Sequence, residues 1–378
     1  SQVYDVLRRR AALAWALGQG GVNAPAPRQM ILAALLSDEM FTGEGHAPAK
    51  LDGEERALLE RLKSVVGAAP DWVEANYPEW LDPQLRERFG TDTKAEMLAL
   101  NQRAPVDLRV NTLKARREEV LAEFQAQGVA AEATRLSPLG IRIAAHDRID
   151  RLPPVRDGLA EIQDEGSQLV ALLVGAKAGE QIVDFCAGAG GKALALAAAT
   201  GGRSGQVYAL DSDGRRLERI KDRARRAGAH NIQPRVIRES GEDPWLAAEG
   251  ARFHRVLVDA PCSGTGAWRR QPDARWRLTP EELAAQVARQ KDILERASRL
   301  VRKGGRLIYA TCSLLVAENE AVVEDFLAQH PHFVRVPLAE AWHEAIGGTP
   351  PGAGEDLLLT PHRHGTDGFY ASVMRRRD

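Results

Sequence analysis

"QIVDFCAGAGGKALALAAAT", residues 181–200, decides the fold. It opens on a short apolar run containing the β-branched Ile182 and Val183. It then crosses a glycine-rich turn and continues in alanine and leucine, strong helix formers. A strand, a turn and a helix in so few residues is most of a βα unit, and the same grammar extends both ways. The helical pattern "DEGSQLVALLVGA" (164–176) precedes it. Strand "GQVYALD" (205–211), helix "GRRLERIKDRARRAG" (214–228), strand "IQPRVI" (232–237) and strand "RVLVDA" (255–260) follow. A long helix is predicted over 279–301, with Thr279 as cap, Pro280 at its first position and Glu282 three residues after the cap. Then come strand "GGRLIYATC" (304–312), helix "ENEAVVEDFLAQ" (318–329) and strand "GFYASVMRR" (368–376). Strands alternating with helices predict an α/β fold with a doubly wound, mostly parallel, Rossmann-like sheet.

The chain has three cysteines, and each follows a short apolar run: "IVDFC" ends at Cys186, "VLVDAPC" at Cys262 and "LIYATC" at Cys312. In open α/β sheets ligands bind outside the carboxyl ends of the strands. All three thiols are thus aimed at the region where chemistry is expected. A single buried cysteine is best read as a small core hydrophobe; three at strand tips are not.

The turn "DFCAGAGGKA" (184–193) is not a phosphate-binding Walker loop, which would need Gly at 186 and Ser or Thr at 193. It is not a clean GxGxxG either, because Gly188 and Gly190 are followed at once by Gly191. Its glycines still let backbone amides approach a ligand at a helix N-terminus. Cys186, Ala187, Gly188, Ala189, Gly190, Gly191 and Lys192 are therefore candidate cofactor contacts. Asp211 ends the next strand, 20 residues beyond Gly191, where an acidic residue commonly bonds ribose hydroxyls. This much fits NAD as well as S-adenosylmethionine. No hydride-transfer site is evident, whereas thiols stand at two later strand ends.

Three regions are expected: a helical region over 1–70, an α+β module over 71–155 and the α/β domain over 156–378. The module reads as strand "VDLRVNTL", helix "ARREEVLAEFQAQG" and further strand in "VAAEATRLSPLGIRIAA" (129–145). Arg103 and Arg109 at its start are candidate contacts to an RNA backbone. In "WRRQPDARWR" (268–277), basic residues alternate with Trp268 and Trp276, which suit stacking on bases. The arginines of 214–228 read as a solvated helix face. The chain starts at Ser1 within a helical pattern, which suggests a truncated or processed N-terminus.

Composition is that of an ordinary globular protein: 44% hydrophobic, 27% charged, formal net charge −1. No apolar run approaches the roughly 20 residues that span a bilayer. Three cysteines without CxxC spacing make neither a disulfide framework nor a zinc site. A cytoplasmic, membrane-free, metal-free monomer is expected.

In this order on this scaffold, "DFCAGAGGK" (184–192), "DAPCSGTG" (259–266) and "ATCS" (310–313) resemble the Nop2/Sun family of RNA cytosine-5 methyltransferases. "NQRAPVDLRVN" (101–111), "RRQPDARWRLTPEEL" (269–283) and "TPHRHGTDGFYASVMRR" (360–376) resemble its bacterial Sun (Fmu, RsmB-like) branch, which acts on small-subunit ribosomal RNA. The resemblance covers residues 70–378, and the preceding helices resemble the tail of a NusB-like domain. It implies a class I methyltransferase fold, S-adenosylmethionine as cofactor and RNA, most simply 16S ribosomal RNA, as partner. It further implies Cys312 as nucleophile toward cytosine carbon 6, Cys262 as the thiol assisting release, Asp259 on the N3/N4 edge of the base and close to the cofactor, and Lys192 beside both substrates. Cys186 is then structural, and Pro261 stiffens the Cys262 loop. The chain departs from the family where Ala189 and Ala193 replace Pro and Thr. It departs again where Ser240 stands in place of an Asp near adenine, with Glu239 and Asp243 adjacent.

Three rival readings remain. DNA cytosine-5 methyltransferases use the cysteine of a Pro-Cys pair, as in Pro261-Cys262, but their ENV triplet is absent; "ENE" (318–320) is expected on a helix. Transfer RNA is an alternative substrate. A non-catalytic RNA-binding assembly factor is a third reading, opposed by the presence of Cys262, Cys312, Asp259 and Lys192.

Overall fold

The computed structural model describes residues 2–65, 67–143, 148–202 and 205–377. They form two units. One comprises Ser1–Arg103 with Trp268–Leu278; the other comprises Ala104–Ala267 with Thr279–Asp378.

The first unit is helical. Helices Arg10–Gln19, Pro27–Leu35 and Gly53–Lys63 bury Leu13, Leu17, Leu32, Leu58 and Leu62 in a common core. Asp52 caps the third helix, accepting from the Glu55 amide at 2.8 Å while the Glu55 carboxylate accepts from the Asp52 amide. The segment 268–278 belongs to this unit. Arg275, buried and inserted from that segment, donates to the carbonyls of Asn76 at 2.6 Å and Leu100 at 3.1 Å. Its guanidinium also covers the ring of Trp268, which is 1% exposed. Trp276 donates to the Leu7 carbonyl and carries Arg10 over its ring. The stacking expectation for these tryptophans therefore fails for Trp268, whose ring is enclosed, and Trp276 is already engaged on both its polar atom and its face.

In the second unit, four short strands come first: β1 (Val106–Val110), β2 (Ala131–Ala133), β3 (Gly140–Ile143) and β4 (Ala160–Ile162). They pair antiparallel in the order β2-β3-β1-β4, with Leu108 opposite both Ile141 and Ile162. The further strand expected in 129–145 takes the form of two strands, β2 and β3, joined through residues 134–139, and residues 144–145 lie outside the described ones. Helix Arg117–Ala126 covers the sheet, burying Val120 and Phe124 against Leu108 and Ile141.

The larger sheet contains β5 (Gln181–Asp184), β6 (Gln206–Asp211), β7 (Ile232–Val236), β8 (Phe253–Asp259), β9 (Val301–Thr311), β10 (Phe333–Val336), β11 (Leu357–Leu359) and β12 (Phe369–Arg376). Its order is β10-β12-β9-β8-β5-β6-β7, with β11 paired to β12. Pairs among β5 to β9 are parallel; β12 pairs antiparallel with β9, β10 and β11. β5 is buried on both faces. Ile182 joins the core on one side and Val183 the core on the other, as the two-residue period requires. Full burial of each contributes about 1.5–3 kcal/mol. Strand order reverses at β5, whose neighbours are β6 and β8, and the crevice of a doubly wound sheet opens at that point.

The Gly-rich turn after β5 depends on Gly190, which has φ 82° and would place a Cβ 2.7 Å from Ile220. Thr279 caps the helix Pro280–Ser298 as its sequence predicts, with the Glu282 carboxylate accepting from the Thr279 amide at 3.0 Å. No helix among the described residues is long and apolar enough to cross a membrane.

Candidate active site

The carboxyl ends of β5, β6, β8 and β9 open on one cleft of about 1220 Å³. Cys186, Lys192, Asp211, Asp259, Cys262 and Cys312 all line it. Small-molecule sites are typically about 300–1,000 Å³, so this cleft has room for a nucleoside-sized cofactor together with a nucleobase. Ala187, Gly188, Ala189, Gly190 and Gly191 make the turn between Cys186 and Lys192 and are not themselves on its wall.

Two side-chain pairs dominate. The sulfurs of Cys262 and Cys312 are 3.4 Å apart. The thiol of Cys262 is pushed well up, first by its hydrogen bond to Cys312, then by burial and by the charges of Cys312 and Glu318. Either sulfur can donate to the other across this contact. Beside them Lys192 Nζ donates to Asp259 Oδ2 at 2.6 Å. Burial opposes the charge on Lys192. The attraction and hydrogen bond of Asp259, with Asp184 and Cys312 behind them, outweigh it and hold the ammonium above its usual range. The Lys192 nitrogen also lies 5.5 Å from the ring centre of Phe369, at the start of β12.

Asp211 supports the glycine turn. Its Oδ2 accepts from the Gly188 amide at 2.7 Å and its Oδ1 from the Asp213 amide at 2.9 Å. Ile237, Arg238 and Glu239 also line the cleft, with Glu239 paired to Arg289 at 2.8 Å. Ser240 is exposed and off the cleft wall. Asp243 caps the following helix by accepting from the Trp245 and Leu246 amides. Glu239 is thus the carboxylate that faces the cleft in this corner. The Cys186 thiol is pushed far up by burial and by Asp259, Asp184 and Asp211, which keeps it a neutral sulfur in the cleft wall.

Two features of the site are not evident from the sequence. Asp184, the last residue of β5, is fully buried behind Lys192. It lies near the Ala193 amide, and neither carboxyl oxygen has a hydrogen bond of normal geometry. Burial, with Asp259 and Asp211 adding repulsion, raises it to about 7. The folded protein then binds this proton more tightly than the unfolded chain, whose aspartates titrate near about 3.9. Stability from this site is full below about pH 4 and is lost as pH rises through about 7. Asp184→Asn is expected to raise stability at pH 8 by about 2–4 kcal/mol and to flatten the loss across the acid-to-neutral range. Thermal melts at pH 5 and pH 8 check this; a variant less stable than the parent at pH 8 contradicts it.

The second feature is "ENE". It does not begin on a helix. Glu318 ends a short 3-10 turn (Val316–Glu318), Asn319 follows outside helical geometry, and the helix starts at Glu320. Glu318 is 0% exposed and bonds both thiol loops. Its one signal in the sequence is its position five residues after Ser313, which a helix assignment conceals.

The basic helix Gly214–Ala227 is more than a solvated face. Arg223 donates to the Ala189 carbonyl at 2.6 Å, and Arg223 and Arg226 both pair with Glu161 of β4. Arg109 is likewise internal. It is 3% exposed, donates to the Gly191 carbonyl at 3.2 Å and is lowered to about 10, chiefly by burial. It ties the small sheet to the glycine turn and is not available to an RNA backbone; Arg103 is exposed. No cluster of metal-ligating side chains occurs among the described residues.

Residues 171–375 match the family described as 16S rRNA methyltransferase RsmB/F, and residues 77–150 match its ferredoxin-like domain. The order β2-β3-β1-β4 with intervening helices agrees with the latter. The chain is 37% identical to ribosomal RNA small subunit methyltransferase B of Sodalis glossinidius over 95% of its length and 76% of that protein's. It is 33% identical to a probable ribosomal RNA small subunit methyltransferase B of Synechocystis, over 80% of this chain and 67% of the relative. The solved structure of PH0851 superposes with a TM-score of 0.80 at 26% identity, covering 99% of this chain and 89% of the other. A class I methyltransferase sheet preceded by a ferredoxin-like module, with sequence identity running through both, leads to one assignment: the chain belongs to the 16S rRNA methyltransferase RsmB/F family.

Proposed function

We propose that this protein transfers a methyl group from S-adenosylmethionine to carbon 5 of a cytosine in RNA, with small-subunit ribosomal RNA as substrate. The observation that carries the reading is the pair of thiols 3.4 Å apart beside the Lys192–Asp259 ion pair in one cleft. Cytosine carbon 5 is a poor nucleophile, and a thiolate added at carbon 6 makes it enamine-like. That is covalent catalysis, which splits one hard step into easier ones.

S-adenosylmethionine, when bound, supplies the electrophilic methyl group. The residues fit it: Cys186 and Lys192, at the two ends of the glycine turn, line the cleft, and the carboxylates of Asp211 and Asp259 on the same wall suit a sulfonium cation and its ribose. Cys312 loses its proton to solvent and attacks carbon 6 as the thiolate, and the π electrons move through carbon 4 toward N3. Asp259 accepts from the base amino group, while the Lys192 ammonium behind it offsets the charge growing at N3. After transfer the carbon 5 proton leaves to solvent and the carbon 6–sulfur bond breaks. The electron pair returns to Cys312, where the S–H of Cys262 stabilises the departing thiolate. An RNA base must be turned out of its stack to reach Cys312.

The test is methyl transfer from labelled S-adenosylmethionine to purified ribosomal and transfer RNAs, with the product base mapped. Label at carbon 5 of a cytosine in small-subunit ribosomal RNA is expected. Label in transfer RNA alone would move the substrate assignment, and binding of NAD without S-adenosylmethionine would overturn the proposal.

A further inference from the structure

The two thiols sit on separate loops, and the protein must hold them together while keeping them chemically unlike. Glu318 contacts both loops. Its Oε1 accepts from the Ser263 amide at 2.8 Å and from Gln290 Nε2 at 2.9 Å. Its Oε2 accepts from the hydroxyls of Ser263 and Ser313. Ser263 follows Cys262 and Ser313 follows Cys312. All four partners are donors, the pattern of an ionised carboxylate, which has about four acceptor sites. Buried charge is tolerated only when satisfied in this way.

The surroundings fix Glu318 in turn. Tyr309 donates its hydroxyl to the Glu318 carbonyl at 2.6 Å. Asn319 accepts from Thr311 at 2.6 Å and donates to the Ser313 carbonyl at 2.9 Å. Gln290 donates its second proton to the Pro261 carbonyl at 2.9 Å, so the Cys262 loop is held from both sides. The Cys312 carbonyl accepts from the Gly266 amide at 2.9 Å, and a Cβ on Gly266 would lie 2.3 Å from the Gly368 carbonyl oxygen. A buried anion held this firmly, bonded to the residue after each thiol, is more than packing requires.

We propose that Glu318 is a positioning residue: through Ser263 and Ser313 it sets the spacing of the two thiols, so that Cys262 stays within hydrogen-bonding reach of Cys312. This rests on the roles given to the two cysteines above. The charged and titratable groups around Cys262 are Tyr309 of β9, Cys312 just after that strand, Glu318 beyond it, and, lining the same cleft, Lys192, Asp259 and Arg289 of the helix Pro280–Ser298. Of these, Glu318 is the anion held against both loops by direct hydrogen bonds.

The test is Glu318→Gln, read first without RNA or cofactor. Alkylation by iodoacetamide is followed at each cysteine by mass spectrometry from pH 6 to 10. Loss of the anion lowers the cost of ionising Cys262 and loosens its loop, so Cys262 should alkylate several-fold faster at pH 8. With RNA and S-adenosylmethionine, kcat should fall about tenfold, with KM for S-adenosylmethionine unchanged and a larger share of protein trapped on RNA. Calorimetric binding of S-adenosylmethionine reports that the variant is folded. If it is not, Ser263→Ala with Ser313→Ala removes the two hydroxyl links and should give the same kcat loss. An unchanged Cys262 profile and unchanged kcat in a folded variant overturns the proposal. The alkylation shift does not depend on RNA chemistry. A wild-type protein that makes no 5-methylcytosine while Glu318→Gln still shifts Cys262 would refute the proposed reaction and leave the positioning role standing.

Discussion

Cys312→Ala should abolish turnover, a loss on the order of 10⁴-fold or more, and should leave no covalent RNA adduct. Cys262→Ala should lose turnover and yet accumulate a protein–RNA adduct that survives denaturing electrophoresis. The asymmetry comes from the positions of the two sulfurs. Both line the cleft, on separate loops, and the Cys262 thiol is pushed up by its bond to Cys312, by burial and by Glu318. Without Cys312 there is no nucleophile to add at carbon 6, and nothing downstream occurs. Without Cys262, addition and methyl transfer proceed, but the departing Cys312 thiolate has lost its hydrogen-bond donor 3.4 Å away, so elimination slows and the intermediate persists. Gel shift of labelled RNA after boiling in detergent, with and without S-adenosylmethionine, reads both variants. Swapped outcomes would make Cys262 the nucleophile, as in DNA enzymes that use a Pro-Cys pair. Activity retained in both variants would reduce the thiols to packing.

Much of this arrangement is legible in the sequence, and for a physical reason. Parallel strands are buried on both faces, so their apolar runs stand out, and the residue that closes each run lies at the cleft. Cys186, Asp211, Asp259 and Cys312 can thus be located from "IVDFC", "VYALD", "VLVDA" and "LIYATC" alone. Lys192 can be located because a glycine turn aims the first turn of its helix at the same opening.

The residues that sequence pattern hides are hidden for an equally definite cause. Pattern does not say which arginine is buried. Arg109 and Arg275 carry the composition of an RNA-binding surface, yet each bonds internal carbonyls and is driven toward weaker basicity by burial. Trp268 reads as an aromatic among exposed arginines, but the segment 268–278 folds into the helical unit and encloses it. Short strands such as β10 and β11 have too few residues to show a period. Glu318 is concealed because a charged residue just before a helical pattern reads as solvated, and only the tertiary fold brings Ser263, Ser313 and Gln290 around it.

Asp259→Ala should lower kcat by about 10²–10³-fold, through loss of the acceptor for the base amino group and of the anion that keeps Lys192 charged beside N3. The size of the loss should also depend on pH. In the parent, the ammonium of Lys192 is held above its usual range despite burial, because Asp259 bonds it at 2.6 Å and attracts it. Removing Asp259 leaves burial as the largest influence, opposed by the weaker pull of Asp184 and Cys312. The lysine then sheds its proton at lower pH than before. A neutral lysine offers no charge to N3, so activity in the variant should fall relative to the parent as pH rises. Asp259→Asn separates the two contributions, because it keeps a carbonyl acceptor for the base amino group but cancels the attraction on Lys192. It should retain more activity than Asp259→Ala at pH 6 and lose that advantage by pH 9. Single-turnover methylation at pH 6, 7.5 and 9 checks all three proteins. Equal, pH-independent losses in both variants would mean that Asp259 acts on the base alone, and that Lys192 holds its proton without it.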